Sequence, residues 1–138
     1  MIFFATSALY MNDIIEEEAK AAGATDIRTI SGGVEFSADL AAAYRFCLWS
    51  RTATRVLLGL FEDEDILDAD ELYEASTQIP WEDWVNPNIT FSVTETVKNC
   101  PYMKNSHFAA IRLKDAIVDR IREKFRSEEH TSELQSPY

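Results

Sequence analysis

Apolar and polar positions change period several times along the first sixty residues, and each change predicts an element. Ile2-Phe3-Phe4-Ala5-Thr6 has the β-branched and aromatic make-up of a strand. From there to Ala22 the spacing of Met11, Ile15, Ala19 and Ala22 puts four apolar residues on one helical face. Asp13 and Glu16 to Glu18 fall in the first half of that helix, where negative charge suits the macrodipole. Gly23 is a natural stop. Ala24 to Ile30 reads as a second strand. Gly32-Gly33 can adopt the positive φ angles of a tight hairpin turn, and Val34-Glu35-Phe36-Ser37 alternates as the returning strand. Ala38 to Trp49 predicts a second helix that buries Leu40, Tyr44, Cys47 and Leu48. Arg55 to Phe61 is a nearly continuous apolar run, as expected of a central strand covered on both faces.

This order, β-α-β-β-α-β, is the ferredoxin-like arrangement. The pattern then restarts. Asp68 to Gln78 predicts a short helix, and Pro80 separates it from the Trp81-to-Trp84 segment. Asn86-Pro87-Asn88 reads as a turn before Ile89-Thr90-Phe91-Ser92-Val93-Thr94, whose alternation predicts a half-buried strand. Asn105 or Ser106 can cap a long helix running to about Phe125. Ala110, Leu113, Ile117, Ile121 and Phe125 form its apolar seam, and Asp119 with Arg122 makes a surface pair. The expected fold class is therefore α+β: a ferredoxin-like βαββαβ domain over 1–62, then a partial α/β domain over 63–125.

Residues 126–138 stand apart. Arg126 to Ser136 resembles, residue for residue, the translation of a short-read sequencing adapter. The segment is read as an adapter-derived tail, outside the native fold, and the natural chain is expected to continue beyond Phe125.

The chain has 138 residues, 46% of them hydrophobic, which supplies a real core and argues against wholesale disorder. No uncharged apolar run approaches the roughly 18 residues of a membrane span, and the apolar start lacks the basic residues of a signal peptide. A cytoplasmic protein is expected, with Cys47 and Cys100 as reduced thiols. The net charge of −11 argues against a simple basic nucleic-acid binder. The charge is unevenly spread, however. Glu62 to Asp83 holds ten acidic residues and no Lys or Arg, whereas Lys98 to Phe125 holds seven basic residues against Asp115, Asp119 and Glu123. One face can repel polyanions while another holds them.

Catalytic chemistry finds no foothold. An acylphosphatase-like use of the first domain needs an arginine after the first strand, and Ala5 to Asn12 has no basic residue. His107 and His130 cannot form a metal or triad constellation, because His130 lies in the tail. The carboxylates of Glu62 to Asp65 lack the spacing and turn glycine of a calcium loop. Gly23, Gly32, Gly33 and Gly59 do not form a cofactor loop after a parallel strand. No Asn/Asp-Pro-Pro-aromatic motif is present to hold a flipped base. No catalytic or metal site is expected in this chain.

The Phe4-to-Ala8 start, the Ile30-to-Phe36 hairpin and the Leu48-to-Val56 segment together resemble THUMP-containing RNA methyltransferases. Among these, the RlmL type of bacterial 23S rRNA guanine-N2 methyltransferases is most similar. Ile79-Pro80-Trp81, Asn86-Pro87, Thr90-to-Val93 and Lys114-to-Asp119 continue the resemblance to about Phe125. Tyr10 and Asn12 depart from it, standing where the family usually has Gly and Glu. The resemblance implies a ferredoxin-like domain leading into a THUMP domain, which hold RNA for a methyltransferase domain that uses S-adenosylmethionine. The second domain would be partial, and that cofactor would belong to the parent protein. It makes Arg51, Arg55, Lys98, Lys104 and Lys114 the RNA-contact candidates, with ordinary solubilising charge, or bracing of the two domains by Arg51 and Arg55, as the alternative. The implied partner is 23S rRNA, with no DNA and no membrane. A transfer RNA guanine methyltransferase with the same front end, or a non-catalytic protein-interaction domain, are the rival readings.

Overall fold

The computed structural model describes residues 1–101 and 106–135, with side chains described for 1–101 and 107–126. They divide into two units, Met1–Glu62 and Asp63–Tyr138. The first contains β1 (Ile2–Ser7), α1 (Asn12–Ala22), β2 (Thr25–Ile30), β3 (Gly33–Ser37), α2 (Leu40–Trp49) and β4 (Ala53–Gly59). The strands form one sheet in the order β2-β3-β1-β4, every neighbour antiparallel.

Strand register decides which side chains form the core. Phe3 faces Phe36 and Leu58, and Ala5 faces Val34 and Val56, so these six share one side of the pleat. Ile15, Ala19 and Ala22 of α1 and Ala43 and Phe46 of α2 close over them. Phe36 stacks on Phe3 at 5.8 Å and tilts against Phe46 at 5.1 Å between ring centroids. Burying side chains of this size contributes about 1.5–3 kcal/mol each, which makes this cluster the main stabilising feature of the first unit. Gly23 ends α1 in the left-handed region at φ 100°, its N–H returning to the carbonyls of Ala19 and Lys20. The hairpin uses its two glycines differently. Gly32 takes φ 87°, whereas Gly33 is extended and passes so close to β1 that a Cβ there would lie 2.0 Å from the Ala5 carbonyl oxygen.

Two expectations about this unit are corrected. β4 is an edge strand, Ala53–Gly59, with one covered face; Leu57 is 47% exposed. Its apolar run meant a strand, not a central one. On α2 the buried residues are Ala42, Ala43 and Phe46, with Leu40 half-buried, while Tyr44, Cys47 and Leu48 face solvent. The Asp39 carboxylate accepts the Ala42 N–H at 2.7 Å and fixes where the helix starts. The small face then packs the helix against α1, with Ala42 close to Gly23.

In the second unit, α3 (Ala69–Thr77) starts at a reciprocal cap. Asp68 accepts from the Glu71 N–H and Glu71 accepts from the Leu67 N–H, both at 2.8 Å. A 3-10 turn, Trp81–Asp83, follows Pro80, and the Trp81 indole donates to the Ser76 carbonyl at 2.8 Å. α4 (Ser106–Gln135) packs along α3, burying Ala109, Ala110, Ala116, Ile117 and Ile121, with Leu113 and Phe125 half-buried. It runs past Phe125 because no Gly or Pro interrupts the sequence before Pro137. Asn105 and the Ser106 side chain lie outside the described residues. The Asn86-Pro87-Asn88 turn forms, with the Asn88 N–H donating to the Asn86 side chain at 2.8 Å. Ile89 to Thr94 is not a strand. Phe91 and Val93 are half-buried and Ser92 and Thr94 exposed, but Ile89 of the same stripe is exposed, and among the described residues no ladder partner meets this backbone. No helix among the described residues is long and apolar enough to cross a membrane.

Candidate nucleic-acid interface

Where an arginine is tied up internally it cannot hold a phosphate, so the use of each one sorts the candidates. In the first unit Arg28 pairs with Glu35 across the β2–β3 ladder. Arg45 donates to the Ala22 carbonyl at 2.7 Å, satisfying the C-terminus of α1. Both are structural. Arg51 and Arg55 are exposed, and among the described residues neither guanidinium has a carboxylate within 4.0 Å.

Arg51 is held by its backbone. Its N–H donates to Glu18 Oε2 at 2.9 Å, and the Thr52 hydroxyl donates to Glu18 Oε1 at 2.7 Å. Burial pushes the Glu18 carboxyl up, but hydrogen bonds from Ser50, Thr52 and the Arg51 backbone, with the Arg51 charge, outweigh it and lower the pKa overall. Glu18 thus clamps the α2–β4 loop. Arg55 lies opposite Thr6 and Ala53 opposite Ser7, so both arginines stand at the end of the sheet where β1 finishes.

In the second unit, Arg112 lies 4.2 Å from the Tyr73 ring centroid and pairs with Asp70 at 3.5 Å and Asp115 at 3.7 Å. Arg120 grips Glu82 through two nitrogens at 3.0 and 2.9 Å and donates to the Thr77 carbonyl at 2.8 Å. Lys124 adds to Glu82 at 3.6 Å. The Arg120 hydrogen bonds lower the Glu82 pKa to about 2. These cations fasten α4 to α3 and to the 3-10 turn. Asp119, expected to pair with Arg122, accepts the Tyr73 hydroxyl at 2.7 Å. Arg122 is left exposed on a groove of about 440 Å³ lined also by Pro87, Phe91, Val118 and Phe125. Lys98 and Lys114 are exposed, and Lys104 lies outside the described residues. Sequence reading passed over Arg122 because Asp119 stood one helical turn away.

Among the described residues every strand pair of the sheet is antiparallel, and the glycines sit at a helix cap, a hairpin and the end of β4.

The architecture defines the class: an α+β protein whose ferredoxin-like sheet precedes a second unit that is helical among the described residues. Residues 2–57 match the family model of the RlmL ferredoxin-like domain, and residues 67–138 match that of the THUMP domain. The chain belongs to the THUMP-domain family, in the form that carries an RlmL ferredoxin-like domain ahead of it. It is 39% identical over 123 residues to the ribosomal RNA large subunit methyltransferase K/L of Syntrophotalea carbinolica, covering 89% of this chain and 17% of that protein. It is also 39% identical over 122 residues to the protein of the same name from Magnetococcus marinus, covering 88% and 17%. The chain therefore spans about a sixth of the length of the curated relatives it matches. Among solved structures, a Listeria monocytogenes protein named as a predicted N6-adenine-specific DNA methylase superposes with a TM-score of 0.74 at 33% identity, over 91% of this chain and 32% of that one. SMU.472, solved with SAH, shares the fold at a TM-score of 0.75 and 23% identity, over 91% and 33%.

Proposed function

We propose that this chain is the RNA-binding N-terminal module of a cytoplasmic, S-adenosylmethionine-dependent 23S rRNA (guanine-N2)-methyltransferase, holding RNA for a catalytic domain outside these residues. The observation that carries the reading is the ordered match of both domains to proteins named as ribosomal RNA large subunit methyltransferases, at 39% identity. Arg51 and Arg55, with Lys98, Lys104 and Lys114, supply the phosphate contacts. Arginine is the stronger partner of the two types, because its planar fork holds a phosphate with two bonds. The chain itself transfers no methyl group and binds no S-adenosylmethionine.

A DNA substrate is the second reading, favoured by the name of the Listeria neighbour. Fluorescence anisotropy with a 23S rRNA fragment, a transfer RNA and duplex DNA of matched length, at one salt concentration, separates these. The ribosomal fragment is expected to bind most tightly. Tighter binding of duplex DNA, or of the transfer RNA, moves the assignment to that substrate; binding of none of them leaves the protein-interaction reading.

A further inference from the structure

Tyr10 occupies a conformation that tyrosine disfavours. The Met11 N–H returns to the Ala8 carbonyl at 3.3 Å, closing a four-residue turn, and Tyr10 in its third position has φ 69°. Glycine is the usual occupant of such a position, because a Cβ crowds the backbone there. Tyr10 is also 90% exposed, so no packing offsets the strain. A strained, solvated aromatic is retained more readily when something else uses its ring.

A second ring stands at the same end of the unit. Trp49, the last residue of α2, is 72% exposed, and two residues later the loop carries Arg51. Ser7 opposite Ala53 and Thr6 opposite Arg55 bring the β1–α1 turn and the α2–β4 loop to one edge of the sheet. Two exposed rings and two guanidiniums without carboxylate partners among the described residues therefore stand at one end of the unit, Arg55 on the sheet face away from the helices.

We infer that this end of the ferredoxin-like domain stacks unpaired RNA bases on Tyr10 and Trp49 while Arg51 and Arg55 hold the flanking phosphates. The inference rests on the RNA-binding reading and adds the form of RNA recognised. Aromatic faces accept any base, and a nearby cation tracks the backbone, which suits single strands and loops more than duplex. An apolar protein partner would have to strip water from both guanidiniums without neutralising them. Phosphates neutralise them directly.

The test uses the full chain with a labelled short oligouridylate and an RNA duplex of equal length. The single strand is expected to bind more tightly. Tyr10→Gly and Trp49→Ala should each weaken that binding on the order of tenfold while leaving duplex binding unchanged. Tyr10→Phe should retain affinity, since the ring remains. Tyr10→Gly should melt at or above the parent temperature, because glycine relieves the left-handed angle, so its loss of affinity cannot be unfolding. Single-strand affinity within twofold of the parent in both Tyr10→Gly and Trp49→Ala, with the usual salt dependence, overturns the stacking inference and leaves the RNA reading intact. Failure of the parent chain to bind either RNA overturns both.

Discussion

Residues 1–62 and 63–138 solve the same problem with different materials. The first unit packs three phenylalanines between a sheet and two helices. The second packs an alanine-rich face of α4 against α3 and fastens it with Arg112 and Arg120. In one the stabilising free energy is mainly apolar burial. In the other, apolar burial is joined by charged pairs, and the same arginines that secure the helices are withdrawn from any ligand. The first unit needs fewer internal cations, and its Arg51 and Arg55 remain available. How a domain is held together thus decides which of its charges can bind.

The largest expected effect lies in the aromatic core. Phe36→Ala should cost the first unit about 3–5 kcal/mol, read as loss of sheet signal in circular dichroism. A milder loss would mean that Phe3 and Phe46 collapse into the space. Gly33→Ala comes next, at about 1–3 kcal/mol or more, since its Cβ meets backbone rather than a movable side chain. Gly32→Ala should cost less, because only its φ is disfavoured and nothing lies within 4 Å.

In the second unit, Arg120→Ala should cost about 1–2 kcal/mol, because it leaves Glu82 and the Thr77 carbonyl with fewer donors in a half-buried site. Two of the three tryptophans, Trp81 and Trp84, lie here, so indole emission follows this unit. The pH dependence follows from Glu82, whose folded pKa is depressed to about 2. Its contribution is fully present above the ordinary carboxylate range and is lost as the pH falls toward 2. Glu82→Gln should flatten the acid limb of urea melts followed by indole emission; an unchanged limb would assign it to other carboxylates. The smallest stability effect is at Lys114→Ala, within about 0.5 kcal/mol, since Lys114 is exposed.

The element order was legible because its punctuation is chemical: Gly23 ends α1, Gly32 turns the hairpin, and Asp68 begins α3. Facing was less legible. Leu40-Tyr44-Cys47-Leu48 and Ala42-Ala43-Phe46 are equally good helical stripes, and only packing against α1 and the shared core chooses the second. Ile89 to Thr94 alternates as well as Val34 to Ser37, yet among the described residues only the latter has neighbours to pair with. Periodicity describes one backbone and a ladder needs two. The candidate cations were legible as residue types, but which of them are paired inside the fold was not. Glu82 lies 38 positions from Arg120 and Tyr73 lies 46 from Asp119, separations that no local pattern reveals.

Under the proposed function, the charges left free by the first unit hold RNA. The most direct test is the salt dependence of RNA affinity for the parent chain, Arg51→Ala and Arg55→Ala, after thermal melts have shown that all three are equally folded. The account predicts affinity that falls steeply with salt in the parent, and a log–log slope reduced by roughly 0.7–0.9 in each variant. Normal melts with the parent's slope and affinity in both variants would place the RNA surface elsewhere and reduce Arg51 and Arg55 to surface charge.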